Sequence, residues 1–414
     1  HGLLRDAKGY SNGNYVTAFL NLSNSKWFKD GGEIAVENDD MLLTFSPRGN
    51  ATDIAGRYTA GQSDHLPNAL MTYIAAADGN WSDAIWKVYD VDTQQSICDF
   101  VKPFSMSGCA VIIDADVTMS ADDNNIKMSS LVINEGKTLN VGTTRNNQVG
   151  HISGTGTLKV EDGDAVPSGV YDDFFDVGGG TIEYGGSTDY NVFVTTVYAN
   201  NVIFSGTGNR TLRSDRNIQV SGNVTINGAT LVFNGKNLTL LGNLNINGGH
   251  STGTGSLVLA GSLEQKIAST ETITMTGIEI DNQNGVVANC DVKLSKLKLI
   301  NGVLKLGDNN IIIISSAITA IEGGSSSSYV DGKMTRKMSS GSEYKFPVGD
   351  ASRYGEAGVL PSASGDWTVE YLNSQPTDYD NRDSKVTALG MEYWRVQGPE
   401  SLSARVRVRW DSRS

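Results

Sequence analysis

Two similar phrases, GNVTING at residues 222–228 and GNLNING at 242–248, constrain the fold more than any other feature of this sequence. Apolar and polar residues alternate within each phrase, with Val224 and Ile226 in the first matched by Leu244 and Ile246 in the second. A period of two is typical of β-strands, whereas an amphipathic helix needs apolar residues three and four positions apart. The phrases therefore predict strands that recur at a fixed interval.

The number of strands in each repeat separates two β architectures. Between the phrases the alternation recurs at Leu231/Phe233 and at Leu238/Leu240, so each repeat holds three short strands. Asn-Gly turns are frequent in hairpins, but an antiparallel meander with an odd number of strands per repeat would point equivalent strands in opposite directions. In a solenoid, three strands and three bends return the chain above its own start. The count favours a right-handed parallel β-helix.

Stacked coils would place equivalent residues of the two phrases above one another in one shared core. The asparagines of the two turns, Asn227 and Asn247, would then form a hydrogen-bonded ladder along the axis. The glycines that follow them, Gly228 and Gly248, would accept the positive φ angle of tight corners.

The charge balance limits the classes of partner. The chain has 33 basic and 46 acidic residues, which gives a net charge of −13 and an isoelectric point near 4.8. An acidic chain argues against binding to nucleic acid or to an anionic membrane surface. No stretch approaches the roughly eighteen consecutive apolar residues of a membrane-spanning helix, so direct membrane insertion is not expected.

Composition and pattern predict three parts in the chain. Residues 1–78 would form an N-terminal β-rich segment of unknown fold, residues 79–324 the parallel β-helix, and residues 325–414 a truncated β-sandwich-like module. The phrase EGGSSSSY at 322–329 predicts a linker between the last two parts. Residues 161–180 interrupt the repeat pattern with EDGDAVPSGVYDDFFDVGGG and are predicted to form a loop outside the coils.

The final strand has two contrasting faces. In SARVRVRWDSRS, Val406, Val408 and Trp410 alternate with arginines. We expect this strand to need further sequence or a partner that covers its apolar face and its free edge. Residues 329–414 are therefore not expected to form a complete domain by themselves.

Parallel β-helices also support polysaccharide lyases and hydrolases, so catalytic residues must be considered. Hydrolysis of a glycosidic bond usually needs two carboxylates about 5–10 Å apart. The outward positions of the regular coils are neutral instead, namely Thr225, Asn237, Thr239 and Asn245. His250, in GGHST, is the nearest fragment to the Gly-His-Gly of polygalacturonases, and a surface histidine is the preferred interpretation. We predict no catalytic residue, with a carbohydrate-active β-helix or a carbohydrate-binding module as the alternative.

Acidic residues cluster in three places without completing a metal-binding motif. The phrase DYDNRDS at 378–384 resembles the start of a calcium loop, but Arg382 occupies a ligand position and the later Gly and Glu are missing. The histidines and cysteines lack zinc-site spacing. No cofactor is expected, and calcium remains open at the clusters. The clustered residues are Asp114, Asp116, Asp122, Asp123, Asp162, Asp164, Asp378, Asp380 and Asp383.

Cysteines and tryptophans allow two interpretations each. Cys98 and Cys109 are close enough in sequence for a disulfide across one loop, especially in an exported protein, and two separate thiols are the alternative. Cys290 has the parity of a buried position. Trp81 and Trp86, in GNWSDAIW, either stack on sugars or plug the open end of the coil, and the plug is preferred.

Several phrases, taken in order, resemble large surface proteins of Bacteroidetes-type bacteria that the type IX secretion system exports. GNWSDAIW is similar to their coil entry, and GNVTINGATL and LINGVLKLGDNNIIII are similar to their repeats. YKFPVGDASRYGEAGV and ARVRVRWD are similar to the module that follows, although Gly355 stands where the family often has Pro. The resemblance covers residues 79–414. It implies secretion, long modular stalks and adhesive or surface-layer roles, and it supplies no catalytic residue.

Together these features predict a non-enzymatic structural or adhesive segment of a large secreted protein at the cell surface. It would be a type IX secretion substrate that acts as a stalk or an adhesin. Its expected partners are the secretion or outer-membrane surface machinery, or surface glycans. A spacer without any ligand is a further alternative.

Overall fold

In the computed structural model of this protein, strands make up 51% of the chain and helices 4%. The structure describes residues 2–5, 17–21, 26–29, 32–34, 71–90, 96–102, 106, 108–350, 353–386 and 389–409. Parallel coils stacked on one another form a β-solenoid of about 12 turns, with further sheets toward the C-terminus. The predicted parallel β-helix is therefore confirmed.

The chain separates into two units, and each is described by itself. The first contains residues 1–160 and 164–174, and the second contains residues 161–163 and 175–414. Among the described residues, no helix has the length and apolar character needed to cross a bilayer. The longest described α-helix is α1 (Asp172–Phe175).

The strands of the first unit are β1 (Gly2–Arg5), β2 (Thr17–Asn21), β3 (Lys26–Lys29), β4 (Gly32–Ile34), β5 (Met71–Ala75), β6 (Gly79–Asn80), β7 (Trp86–Asp90), β8 (Ser96–Val101), β9 (Ala110–Ile113), β10 (Val117–Thr118), β11 (Ser130–Ile133), β12 (Thr138–Asn140), β13 (Gln148–Ser153), β14 (Thr157–Val160) and β15 (Ser168–Val170). Strands β1 to β4 form an antiparallel sheet. Strands β5, β9, β11, β13 and β15 form a parallel ladder, and β6, β10, β12 and β14 form a second one.

Two boundaries in this unit differ from the sequence-based expectation. The first parallel strand, β5, begins at Met71 and lies within residues 1–78, where no repeat pattern was found. Strand β15 pairs with β13, so residues 168–170 belong to a coil although residues 161–180 were predicted to form a loop. Short strands escape detection because two or three alternating residues do not establish a period.

The strands of the second unit are β16 (Thr181–Tyr184), β17 (Tyr190–Val192), β18 (Tyr198–Ala199), β19 (Asn201–Ser205), β20 (Asn209–Leu212), β21 (Ile218–Val220), β22 (Val224–Asn227), β23 (Thr230–Asn234), β24 (Leu238–Leu240), β25 (Leu244–Ile246), β26 (His250–Thr254), β27 (Leu257–Leu259), β28 (Gln265–Ala268), β29 (Ile273–Asp281), β30 (Val286–Ala288), β31 (Val292–Asn301), β32 (Leu304–Ile313), β33 (Ile321–Gly323), β34 (Val330–Met338), β35 (Tyr344–Phe346), β36 (Val348–Asp350), β37 (Arg353–Tyr354), β38 (Ala357–Pro361), β39 (Gly365–Leu372), β40 (Tyr393–Gln397) and β41 (Ala404–Val408).

The repeat phrases form adjacent coils in the predicted register. Strand β22 pairs in parallel with β25, so Val224 lies beside Leu244 and Ile226 beside Ile246. All four side chains are buried, with Ile246 the most exposed at 2%. The intervening strands β23 and β24 continue into parallel neighbours on two other faces. An antiparallel hairpin over this segment is thereby excluded.

The corner glycines agree with the prediction, but the predicted asparagine ladder is in the wrong place. Gly228 and Gly248 have φ angles of 88° and 83°, in the region that residues with a Cβ rarely adopt. Asn227 and Asn247 are exposed, and within the described part of the chain their side chains form no hydrogen bond with one another. They follow the last inward residue of each strand and so point toward solvent at the corner.

The first asparagine of each phrase forms the ladder instead. The side-chain Oδ1 of Asn201 accepts a hydrogen bond from the backbone N–H of Asn223 at 2.8 Å. The Oδ1 of Asn223 accepts from the N–H of Asn243, and the Oδ1 of Asn243 accepts from the N–H of Lys266, each at 2.8 Å. Each side chain therefore satisfies a corner amide of the next coil that would otherwise have to bond to water.

The serine-rich phrase that was predicted to be a linker is part of the last coils. Strand β33 pairs in parallel with β31, and residues 325–328 close a tight turn in which the Ser325 N–H donates to the Ser328 carbonyl at 2.8 Å. Ser328 and Tyr329 are buried. A run of small polar residues fits both a flexible linker and a tight turn, and composition does not distinguish them.

Beyond this turn the pairing changes from parallel to antiparallel. Strand β34 pairs in parallel with the coil strand β32 and, through its second half, antiparallel with β39. Strand β40 extends this sheet. A second antiparallel sheet contains β35, β38 and β41. Strand β34 thus belongs to the same sheet as the preceding coils, whereas β35, β38 and β41 lie in a separate sheet. Trp410 lies outside the described residues.

We predict that Leu244→Asp destabilises the coils by several kcal/mol, on the order of 3–5, because it buries a charge without a partner. The measurement is chemical denaturation together with hydrogen exchange of the amides in β22 and β25. Asn245→Asp is the matched control, since Asn245 points outward from the same strand. Equal stability of the two variants would contradict the stacked core.

We also predict that Asn243→Ala lowers the free energy of unfolding by about 1 kcal/mol, the usual contribution of one such hydrogen bond. The variant leaves the ladder interrupted at one coil, and faster exchange of the Lys266 amide should report the break. Asn247→Ala is the control and should change stability by less than about 0.5 kcal/mol. If the control is the more damaging variant, the ladder has been placed at the wrong asparagine.

Candidate functional surfaces

Three outward faces of the regular coils carry neutral side chains. On one face Gln219, Thr239 and Val258 lie side by side on successive strands. On a second face Thr225 lies beside Asn245. The third face is equally neutral, with Val232 beside Thr252 on β23 and β26. The coils between 218 and 259 therefore present hydroxyl, amide and methyl groups rather than a pair of carboxylates.

The first of these faces becomes charged in the coils that follow. The row of outward residues that contains Thr239 and Val258 continues on successive strands with Glu279, Lys298 and Glu322. The Lys298 ammonium lies 3.2 Å from a Glu279 carboxylate oxygen, and the neighbouring Lys296 lies 2.8 Å from Glu322. These carboxylates are paired with lysines of the adjacent coil. Such pairs neutralise one another at the surface and contribute little to stability.

Two carboxylates of the acidic cluster near residue 114 bond to neighbouring coils. The Asp116 side chain accepts a hydrogen bond from the backbone N–H of Thr138 at 2.8 Å, and the Asp116 N–H donates to Asp78 at 2.8 Å. Asp114 accepts from the Asn134 side chain at 2.8 Å. Asp116 and Asp78 thus cap backbone N–H groups in the first unit as the asparagine ladder does in the second, whereas Asp114 bonds to a side chain.

The other acidic residues of the three clusters are parts of turns. Asp123 accepts from the Ser120 backbone N–H at 2.7 Å. Asp164 lies in the 3₁₀ turn Gly163–Ala165, and Asp380 lies in the 3₁₀ turn Tyr379–Asn381. Asp383 accepts from the Lys385 N–H at 2.9 Å. Nowhere in the described ranges do three His, Cys, Asp or Glu side chains gather as metal ligands. Calcium, which the sequence left open, stays an untested alternative.

The two tryptophans are buried at the first coil. Trp81 is 2% exposed and Trp86 is fully buried, with ring centroids 4.7 Å apart in an edge-on arrangement. The Trp86 indole N–H donates to the Trp81 carbonyl at 2.9 Å. Neither ring offers a face on which a sugar could stack. The preferred interpretation, that they fill the core where the coils begin, agrees with this burial.

Only one cysteine of the predicted disulfide has a described side chain. Cys109 is fully buried, and burial raises the pKa of its thiol form to about 12. The side chain of Cys98 lies outside the described residues, so the disulfide between Cys98 and Cys109 stays a prediction. Cys290 is buried and free, as expected for a core thiol.

His250 begins strand β26, with its side chain exposed, and pairs with Thr230 of the preceding coil. This exposed position agrees with the surface histidine that the sequence analysis preferred.

Sequence inspection missed a fully buried arginine in the second unit. Arg210 occupies an inward position of β20, and its guanidinium donates to the carbonyls of Tyr184, Gly185, Gly186, Thr188 and Ser205 at 2.5 to 3.0 Å. The guanidinium carbon also lies 4.5 Å from the centre of the Tyr190 ring. Carbonyl oxygens thereby replace the water that this cation would lose on burial. Burial lowers the pKa of Arg210.

A second buried arginine holds the turn before β33. Arg336 donates to the carbonyls of Lys345, Ala317 and Ile318 at 2.7 to 3.2 Å. Its guanidinium lies 5.0 Å from the centre of the Tyr344 ring, and burial lowers its pKa to about 10. Both arginines share the parity of buried neighbours, Arg210 with Leu212 and Arg336 with Met334. A charge at an inward position was the signal that could have revealed them.

No protein-family model, no curated protein and no solved structure matches this chain. The geometry described above is therefore the basis for any functional proposal, together with the sequence resemblance.

We predict that Arg210→Lys destabilises the second unit by about 2–4 kcal/mol, because an ammonium has too few donors in the wrong geometry and leaves buried carbonyls unpaired. Thermal or chemical unfolding measures the loss, and hydrogen exchange at residues 184–190 locates it. Arg216→Lys, on the exposed arginine beside Asp215, is the control and should change stability by less than about 0.5 kcal/mol. Equal stability of the two variants would refute the stabilising role of the Arg210 guanidinium.

Proposed function

We propose that this chain is a non-enzymatic structural or adhesive segment of a large exported cell-surface protein. The observation that carries the proposal is the continuous coil-to-coil bonding of the second unit, in which parallel strands and the ladder of Asn201, Asn223 and Asn243 join each coil to the next. Because the coils are equivalent, no single coil forms a functional site that the other coils only support. Its use is to span a distance and to present surfaces along it.

The outward chemistry supports this role over catalysis. The regular coils present neutral groups, and the carboxylates described above bond to backbone N–H groups, to lysines or to turn residues. Export by the type IX secretion system, location at the cell surface and contact with the outer-membrane machinery are proposed from the sequence resemblance alone. Surface glycans are the ligand class that suits neutral hydroxyl and amide groups, because sugars are recognised through hydrogen bonds.

The first test asks whether the protein cleaves polysaccharides. We expect the purified chain to release no new reducing or unsaturated ends from a panel of acidic and neutral polysaccharides. Asp162→Asn and Asp164→Asn serve as matched variants, with Asp215→Asn as a control outside the acidic clusters. Turnover that disappears in either of the first two variants and persists in the control would overturn the non-enzymatic assignment.

The second test asks whether the coils are equivalent. Deleting residues 223–242 joins Gly222 to Asn243, so that Asn201 would cap the N–H of Asn243 as it now caps that of Asn223. We expect the shortened protein to fold, with protected amides in the remaining coils, and to be retained at the surface of producing cells as judged by protease accessibility. Deleting residues 223–232 removes half a coil and should abolish that protection. Loss of folding in both deletions would contradict a spacer of interchangeable coils.

A further inference from the structure

Strand β41 is bonded on one side only within the described part of the chain. It pairs antiparallel with β38, and β38 pairs on its other side with β35. The Arg409 N–H donates to the Glu356 carbonyl at 3.0 Å, and the Ser362 N–H donates to the Ser403 carbonyl at 2.8 Å. Backbone groups alternate in direction along an antiparallel strand, so the N–H and C=O of Val406 and Val408 point away from β38.

The apolar face of this sheet is covered at β38 and partly uncovered at β41. Val359 and Val406 are directly paired across the two strands and share one face. Val359 is fully buried, whereas Val406 is 41% exposed. A strand added beside β41 would remove Val406 from water and would bond to the free N–H and C=O groups at the same time.

The opposite face of β41 is basic in a chain that is acidic overall. Arg405, Arg407 and Arg409 alternate with the valines. Arg407 lies 2.7 Å from Glu343 and 3.7 Å from Glu356. Arg407 is thus the paired arginine, and Arg405 and Arg409 are the other two. Arg405 is exposed on the outer strand of the sheet.

Arg409 has an aromatic rather than an acidic neighbour, since its guanidinium carbon lies 5.7 Å from the centre of the Tyr354 ring. The row of arginines along β41 is therefore only partly neutralised by its own sheet. Facing cross-strand residues of opposite charge stabilise a pair of strands, and facing residues of like charge destabilise it.

We propose that β41 is a docking edge for an extended peptide segment in which acidic and apolar residues alternate. The segment would add to the sheet as a strand, with its apolar residues beside Val406 and Val408 and its carboxylates beside Arg405 and Arg409. A second copy of β41 does not fit this edge, because two rows of arginines would face one another. The inference does not depend on the structural role proposed above.

Exposed charges also occur on edge strands that have no partner, where they discourage aggregation. That explanation gives a different result from docking, because a protective edge binds neither acidic nor basic strands. The experiment therefore compares peptides that differ in charge alone.

The probes are fluorescent octapeptides of alternating Glu and Val, or of alternating Lys and Val, titrated with the full chain and followed by fluorescence anisotropy. We expect the acidic peptide to bind at least about tenfold more tightly than the basic one, with affinity that falls as salt rises. Arg405→Glu should remove most of this difference, and Arg216→Glu, an equal change of charge elsewhere, should preserve it. Hydrogen exchange at Val359 checks that the variant sheet is folded.

Two N-methylated forms of the acidic peptide test strand pairing. One carries the methyl groups on the valine amides and the other on the glutamate amides, so only one form directs its methyl groups toward β41. We expect one form to bind and the other to fail, and bound peptide should slow exchange of the Val406 and Val408 amides.

Absence of binding, or equal binding of acidic and basic peptides, would overturn the proposal. Equal binding of the two methylated forms would exclude strand addition. Concentration-dependent dimers that protect the Val406 amide would assign the edge to a second copy and would also overturn it.

Discussion

The hydrogen bonds from each coil to the next are the interaction on which the rest of this structure depends. They fix the register in which Val224 meets Leu244, and a slip by one residue would turn every inward side chain toward solvent. At the corners some amides bond to backbone carbonyls of the adjacent coil, as the Gly242 N–H does to Gly222 and the Leu241 N–H does to Val220, while others in the described coils have no such backbone partner. The side chains of Asn223 and Asn243 complete the bonding there, which makes the corner as repetitive as the strands.

Where the regular coil is interrupted, the chain uses buried arginines to keep its backbone bonded. Arg210 and Arg336 each collect carbonyl groups both from strands and from the irregular segments beside them. An arginine suits this purpose because its planar guanidinium offers several donors in fixed directions. The enclosed charge is stabilised by dipoles of the backbone, and aromatic rings lie beside it in both cases.

The hydrogen bonds and ion pairs of the acidic side chains also bear on function. Carboxylates of the types that catalysis or metal binding would use are engaged, as when Asp116 caps the backbone of the next coil or Glu279 pairs with Lys298. The outward faces of the regular coils are neutral and repetitive. The edge of β41 that is unpaired among the described residues, with its alternating valines and arginines, differs from both, and it is the docking edge that we propose.

The sequence by itself determined the period, the inward residues and the number of strands per coil, because neighbouring side chains of a strand point to opposite faces and the alternation is therefore local. It also indicated the neutral outward positions. Only the tertiary structure decided that Asn223 rather than Asn227 forms the ladder, that Arg210 lies inside, and that the serines after β33 close a turn. The first two outcomes depend on which groups meet across coils some twenty residues apart, and the turn is fixed by the pairing of β33 with β31. Such meetings are set by corner geometry and register that no local pattern records.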